Sequence, residues 1–135
     1  MAGTLHLEIA TPERLLVKAD ATEVYVPGAD GVLGILPEHA ALLSELGYGE
    51  LTFVTPQGRN SVFVAGGWVQ VLNNEVRVLA DRAENISEID TTRAEAALKR
   101  AQERLNAPAS AGIDVARAIN AMRRAEARIA AAHSH

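Results

Sequence analysis

The sequence predicts an antiparallel β-sandwich or barrel followed by an antiparallel α-helical hairpin. Three observations support this prediction: a change of composition near Ile89, regularly spaced strand and turn signals before it, and an internal repeat after it. Nine of the ten glycines and eleven of the twelve valines lie within residues 1–89, whereas fifteen alanines lie in the 46 residues that follow. Strand-forming sequence therefore gives way to helix-forming sequence, and we expect two regions, residues 1–88 and 89–135.

The first region consists of short apolar runs separated by turn residues. Leu5, Leu7 and Ile9 alternate with polar residues, which is the pattern of a strand with one buried face. Similar runs follow at Leu15–Val17, Val24–Val26, Leu51–Val54, Ser61–Val64, Trp68–Leu72 and Val76–Leu79. Proline or glycine ends three of these runs, and Asn73-Asn74 predicts a hairpin turn between the last two. Strands of this length and spacing are typical of sandwiches and barrels.

The second region contains an internal repeat with a period of 24 residues. The segment Ile89–Ala94 returns as Ile113–Ala118, and the match continues from Leu98–Ala101 to Met122–Ala125. Each copy begins with an aspartate that can cap a helix by accepting backbone N–H bonds. Between the copies, Asn106–Gly112 contains a proline and a glycine, which end one helix before the next begins. An antiparallel helical hairpin is the simplest arrangement of the two copies.

Each predicted helix carries an apolar stripe rich in alanine and a stripe of arginines. The apolar stripes are Ala94, Ala97, Leu98, Ala101 and Leu105, and Val115, Ala118, Ile119, Met122 and Ile129. Because alanine buries little apolar area, at ~25 cal/mol per Å² the hairpin is expected to be held weakly.

The arginine stripes are Arg93, Arg100 and Arg104 on the first helix, and Arg117, Arg124 and Arg128 on the second. This spacing places each triplet within about 40° around its helix. Charged helix faces are usually just solvated, but facing arginine stripes favour an anionic ligand such as a phosphate group.

Composition excludes several classes of protein and of site. The chain of 135 residues has room for one domain, or for a small domain with an appendage. No stretch approaches the ~18 consecutive apolar residues of a membrane-spanning helix, and we expect no export leader. The absence of cysteine excludes disulfides, thiol catalysis and cysteine-ligated zinc.

Charge divides at the same place as composition. Residues 1–89 carry 12 acidic and 5 basic side chains, a net charge of −7, whereas the rest of the chain carries 8 basic and 5 acidic side chains, a net charge of +3. The two regions could therefore serve different partners. The overall pI of 5.5 argues against a protein that binds nucleic acid as a whole.

No catalytic or metal-binding constellation is recognisable. The loop Gly28–Pro37 is rich in glycine but lacks the Lys-Ser/Thr ending of a phosphate-binding loop. His39 has no evident partner for a metal or general-base role. Ser44 and Ser61 lack histidine and aspartate companions at a recognisable spacing. We therefore expect no active site.

Four segments together resemble the epsilon subunit of the bacterial rotary ATP synthase. Gly34–Ala40, followed by two leucines, is similar to the segment Gly-Ile-Leu-Pro-Gly-His-Ala of that family, with Glu38 in place of the second glycine. Ala65–Trp68, Val76–Ala83 and the Ile-Asp-x-x-Arg-Ala motif are the other three. The resemblance covers essentially the whole chain in order, which makes the combination specific.

The resemblance implies a ten-stranded β-sandwich, bound to the gamma subunit and the c-subunit ring, that couples central-stalk rotation to proton flow. The loop Ile35–His39 would face gamma and the c ring. The protein would be a non-catalytic subunit, peripheral to the cytoplasmic face of the bacterial inner membrane or to the thylakoid. Its helical hairpin would move between a retracted state and an extended state that reaches the alpha/beta catalytic ring and inhibits ATP hydrolysis.

The resemblance also implies a regulatory ATP site, with no required cofactor and no metal. The positions that match this site are Glu84, Ile89, Asp90, Arg93, Ala94, Arg100, Arg124 and Arg128. ATP would bridge the two arginine stripes and stabilise the retracted hairpin.

Two alternatives come from other classes. The first is a stand-alone anion- or nucleic-acid-binding adaptor with a basic hairpin, which the acidic first region and the lack of aromatic residues in the hairpin oppose. The second is a small enzyme with paired carboxylates such as Asp81 and Glu84, whose separation the sequence does not give.

Overall fold

The computed structural model describes residues 3–108 and 111–134. The chain divides into two units, Met1–Asn85 and Ile86–His135. The first unit consists of strands and the second of helices, as the change of composition predicts.

Over residues 3–85, the first unit contains eight strands. They are β1 (Leu5–Ala10), β2 (Leu15–Ala21), β3 (Glu23–Gly28), β4 (Gly31–Ile35), β5 (Leu42–Glu45), β6 (Tyr48–Thr55), β7 (Gly58–Leu72) and β8 (Glu75–Asn85). Their order in the sheet is β2-β1-β8-β7-β6-β3-β4, and β5 also pairs with β7. All neighbours are antiparallel except β1 and β8, which are parallel. Because β2 also contacts β6, the sheet folds back on itself as a sandwich.

The core lies between the two halves of this sandwich. Leu5, Leu7 and Ile9 are buried, as their alternation predicts. The remaining core consists mainly of valines and leucines from the other strands: Val24, Val26, Ile35, Leu46, Leu51, Val62, Val64, Val69, Val71, Val76 and Val78. Branched side chains of this kind pack well on a pleated surface, which explains the valine-rich composition of the first region.

The resemblance implies ten strands, whereas the described residues form eight, and the break that the sequence predicts at Gly66-Gly67 is a bend within one strand. Gly66 and Gly67 have φ angles of +71° and +112°, yet β7 continues through both of them. Across this bend the side chains that join the core cluster change from Val62 and Val64 to Val69 and Val71, so the core-facing alternation changes phase. In the sequence, this change makes the single strand β7 look like two separate strands. Cutting β7 and β8 at the bend would give ten segments in place of eight.

The predicted hairpin turn at Asn73-Asn74 is confirmed. It joins β7 to β8, and Leu72 pairs with Glu75 across it. The φ angles of Asn73 and Asn74 are +49° and +64°, which is the type I′ geometry that matches the twist of a hairpin.

A short 3₁₀ turn (Ile86–Glu88) and two helices form the second unit. The helices are α1 (Thr91–Leu105) and α2 (Val115–His133), and they pack against each other as a hairpin. Both predicted caps are confirmed: Asp90 accepts a hydrogen bond from the backbone N–H of Arg93 at 3.0 Å, and Asp114 accepts one from Arg117 at 3.1 Å. Neither helix, over the residues described, has the length and apolar character needed to cross a bilayer.

Candidate functional site

Alanines are the only fully buried residues among those described in the two helices. We call this set the alanine seam: Ala94, Ala101, Ala118, Ala125 and Ala131. The larger apolar residues of the predicted stripes, such as Leu98 and Ile119, are only half-buried. Val115 is 57% exposed, so its place in the apolar stripe was wrong: it is the first residue of α2, where no preceding helical turn covers it. The helices thus meet mainly through small side chains, which bury little area.

Both arginine stripes lie beside the alanine seam. On α1, Arg93 and Arg100 are exposed, whereas on α2 Arg124 and Arg128 are half-buried. At 100° per residue, each arginine stripe is centred roughly 80–100° around its helix from Ala94 and Ala101 on α1 and from Ala118 and Ala125 on α2, whereas Ala131 lies within about 60° of the α2 stripe. The guanidinium groups therefore flank the helix pair instead of pointing directly away from it, so they can reach a ligand that lies along it.

The Ile-Asp-x-x-Arg-Ala motif forms the first turn of α1. Asp90 is the helix cap, and its carbonyl accepts the backbone N–H of Ala94 at 3.0 Å. Ile89 donates its own N–H to the carbonyl of Ile86 at 3.2 Å and is half-buried. Ala94 belongs to the seam, which leaves Arg93 as the motif's exposed cation. The Asp90 carboxylate offsets the partial positive charge of this helix N-terminus, so the side chain of Arg93 is what can attract an anion to this end of α1.

The eight sequence-predicted ATP-site residues fall into three groups. Ile89, Asp90, Arg93 and Ala94 share one turn, and Arg100 lies two turns further along α1. Arg124 and Arg128 lie on successive turns of α2. Glu84 is in the first unit instead, on β8, where it pairs with Phe63 of β7 and is half-buried.

The loop that was predicted to face a partner begins one residue too early. Ile35 is the last residue of β4 and is fully buried, so it belongs to the core and cannot contact a partner. The exposed apolar residues at this end of the sandwich are Val32 and Leu36. In a strand with one buried face, every second side chain is buried. Because Val32, Leu33, Ile35 and Leu36 are all apolar, the sequence does not show which of them is buried.

An exposed apolar row crosses the outer face of the sheet, and sequence reasoning missed it. Trp68 of β7 and Leu79 of β8 are directly opposite each other and are 51% and 59% exposed. The row continues through Ala10 of β1, which is half-buried and pairs with Leu79, to Leu15 of β2, which is 55% exposed and pairs with Ala10. Contiguous exposed apolar surface of this kind is typical of a protein–protein contact. A signal was present, since Trp68–Leu72 is apolar at four of five positions, more than one buried face needs.

Within residues 3–108 and 111–134, no group of three or more histidine, aspartate or glutamate side chains could hold a metal ion. Three features of the described residues offer surface for function: the arginine-flanked hairpin, the apolar row and the exposed residues near β4.

Each of the two units matches a known family of protein domains. Residues 4–86 match the model of the ATP synthase delta/epsilon chain beta-sandwich domain, and residues 87–133 match that of the delta/epsilon chain long alpha-helix domain. The chain is 52% identical to the ATP synthase epsilon chain of Solibacter usitatus over 98% of both chains. It is 44% identical to that of Koribacter versatilis over 78% of this chain and 74% of the relative.

The fold also recurs in a solved structure. A chain of the Euglena gracilis mitochondrial ATP synthase superposes with a TM-score of 0.82 at 19% identity, over 98% of this chain and 82% of that chain. The two adjacent family models and the relative that is 52% identical over 98% of both chains indicate the same family. The chain belongs to the delta/epsilon chain family of ATP synthases.

Proposed function

We propose that this chain acts as the epsilon subunit in the central stalk of a proton-translocating ATP synthase. The observation that carries the proposal is the match of both units, in order, to the two domains of this family. The first unit would bind the gamma subunit and the c-subunit ring, and so couple rotation to proton flow. The apolar row, Val32 and Leu36 offer exposed apolar surface for such contacts. The subunit would be non-catalytic and peripheral to the cytoplasmic face of the bacterial inner membrane or to the thylakoid.

The hairpin would inhibit ATP hydrolysis by extending toward the alpha/beta catalytic ring. A switch of this kind needs two states that differ by only a few kcal/mol. Packing through alanines supports it, because separating or shifting such helices exposes little apolar area. The net charge of +3 in this part of the chain would favour acidic segments on the catalytic ring.

ATP would stabilise the retracted hairpin and so act as a regulatory ligand, not as a substrate. The residues proposed to hold it are Glu84, Ile89, Asp90, Arg93, Ala94, Arg100, Arg124 and Arg128. The carboxylate of Asp90 caps α1, so its part is to fix the turn that presents Arg93. Guanidinium groups match phosphate oxygens in charge and in geometry, and the four arginines proposed here lie along two packed helices, where they could contact successive phosphates of a triphosphate.

Reconstitution with the alpha, beta and gamma subunits tests inhibition by the hairpin. ATP hydrolysis is measured with the full chain and with a chain that ends at Ile89, and gel filtration establishes that each is bound. We expect faster hydrolysis with the shortened chain because the inhibitory arm is missing. Equal rates with both chains bound would rule out inhibition by the hairpin while leaving membership of the stalk in place.

Isothermal titration of the full chain with ATP tests the regulatory site. Arg93→Ala removes the exposed cation of the motif, and we expect the affinity to fall by about tenfold or more, since a charge-assisted hydrogen bond contributes roughly 1.5–3 kcal/mol. Arg123→Ala is the control, because Arg123 is an exposed arginine of α2 that lies outside both arginine stripes. The absence of heat at millimolar ATP, or equal losses in the two variants, would remove the proposed ATP site.

A further inference from the structure

The loop between β4 and β5 contains a turn with a residue in an unfavourable conformation. The backbone N–H of His39 donates to the carbonyl of Leu36 at 3.1 Å, which closes a four-residue β-turn. Pro37 occupies its second position and Glu38 its third, with a φ angle of +69°. This is the pattern of a type II turn, whose third position favours glycine or asparagine because a Cβ is crowded there. Something outside the turn must therefore help to hold Glu38 in place.

Asn74 provides that support through two reciprocal hydrogen bonds. The backbone N–H of Glu38 donates to Oδ1 of Asn74 at 2.7 Å, and Nδ2 of Asn74 donates to Oε1 of Glu38 at 3.3 Å. We call this pair of bonds the clasp. It joins the β4–β5 loop to the β7–β8 turn, 36 residues away in the sequence.

Asn74 is itself firmly held. It occupies the third position of the type I′ turn Leu72–Glu75, and its carbonyl accepts the backbone N–H of His6 on β1 at 2.8 Å. The clasp thus connects the loop to three strands of the sandwich, β1, β7 and β8.

The clasp lies beside exposed apolar surface. Glu38, His39 and Asn74 line a shallow cavity of about 420 Å³ together with Leu72, Ala40 and neighbouring residues. Leu36, in the same turn, and Leu72, just before Asn73, are each about half exposed. A loop that carries such side chains binds a partner more tightly if it is already ordered, since ordering a loop on binding opposes association.

We propose that Glu38 and Asn74 are positioning residues that preorganise the loop Leu36–Ala41 for binding to the rotating stalk. The partner is the gamma subunit with the c-subunit ring, so this inference rests on the proposed function. The role of Glu38 is to hold Leu36 and His39 in one arrangement.

Asn74→Gly is the decisive variant. Glycine is well suited to the type I′ turn, so the turn is kept while both side-chain bonds of the clasp are lost. Asn73→Gly is the matched control, because it changes the neighbouring residue of the same turn and leaves the clasp intact. Binding of each full-length chain to the complex of alpha, beta, gamma and the c-subunit ring is measured, together with hydrogen exchange of the Glu38 backbone amide.

We expect Asn74→Gly to weaken binding about tenfold and to speed exchange of the Glu38 amide by at least about tenfold. Asn73→Gly should change each by less than about twofold. A rescue experiment separates positioning from general destabilisation. Asn74→Asp places two carboxylates together and should weaken binding. Adding Glu38→Gln gives the aspartate a donor again, and the double variant should bind within about threefold of the unmodified chain.

The outcomes distinguish this inference from the proposed function. If the unmodified chain does not bind the complex, the proposed function fails and the inference fails with it. If the unmodified chain binds and Asn74→Gly binds as well as Asn73→Gly, or if Glu38→Gln gives no recovery, the clasp has no part in binding and only the inference is overturned.

Discussion

Gly67 of β7 lies against the backbone of Leu79 on β8, with no room for a side chain between them. A Cβ built on Gly67 would overlap the carbonyl oxygen of Leu79 and would stand 2.8 Å from the Cα of Ala80. The φ angle of +112° is also one that other residues rarely adopt. This close approach lets two long strands stay in register while they bend from one half of the sandwich into the other.

Gly67→Ala should therefore destabilise the first unit strongly. We expect the free energy of unfolding to fall by more than about 2 kcal/mol, because the substitution adds both backbone strain and overlap with the neighbouring strand. Urea unfolding followed by the fluorescence of Trp68, the single tryptophan, measures this change. Gly58→Ala is the control, since Gly58 has a φ angle of +126° but no atom within 4 Å of its built Cβ. Equal losses in both variants would mean that the contact with Leu79 has no effect.

Glu38 gives a second prediction that concerns stability alone. Glu38→Ala loses the bond from Asn74 and keeps the left-handed strain, whereas Glu38→Gly loses the same bond and relieves the strain. We expect the glycine variant to be more stable than the alanine variant by about 1 kcal/mol, the usual preference for glycine at positive φ. Thermal unfolding of the two variants side by side is the measurement. An alanine variant as stable as the glycine variant would contradict the strain assigned to this position.

The capping aspartates give a third prediction. Asp90→Ala and Asp114→Ala should each lower the stability of their helix by about 1 kcal/mol, because each leaves a backbone N–H of the first turn without its side-chain acceptor. Asp90→Asn keeps an acceptor oxygen and should retain most of the stability. Circular dichroism at 222 nm during thermal unfolding follows the helices. If Asp90→Asn were as damaging as Asp90→Ala, the carboxylate would have a role other than capping.

The elements that could be predicted from the sequence are those specified by neighbouring residues. The alternation of Leu5, Leu7 and Ile9, the turn at Asn73-Asn74 and the capping aspartates each depend on a few adjacent positions, and each is confirmed. The continuity of β7 could not be predicted in this way. Two adjacent glycines usually end a strand, and only the constant register with β8 makes them a bend.

The candidate surfaces were harder to predict because they depend on pairing between distant strands. Trp68 and Leu79 are eleven positions apart, and only the register of β7 and β8 places them side by side. Ile35 was assigned to a surface loop because its apolar neighbours conceal the strand alternation. The arginine stripes, by contrast, follow from helical periodicity alone, and they lie on α1 and α2 as expected.

The alanine seam gives the last prediction, since its small side chains leave no space for larger ones. Ala101 is buried in α1, and Ala101→Leu adds three carbon atoms where the helices meet closely. We expect a loss of about 1–3 kcal/mol from overpacking, read as faster hydrogen exchange along α1 and α2. Ala96→Leu is the matched control on the same helix: Ala96 is exposed, and leucine is nearly as good a helix former as alanine, so its effect should stay within about 0.5 kcal/mol. If both variants exchanged at the same rate, Ala101 would not be packed against α2. The packing of α1 and α2 through small side chains, which supports the proposed switch, would then be contradicted.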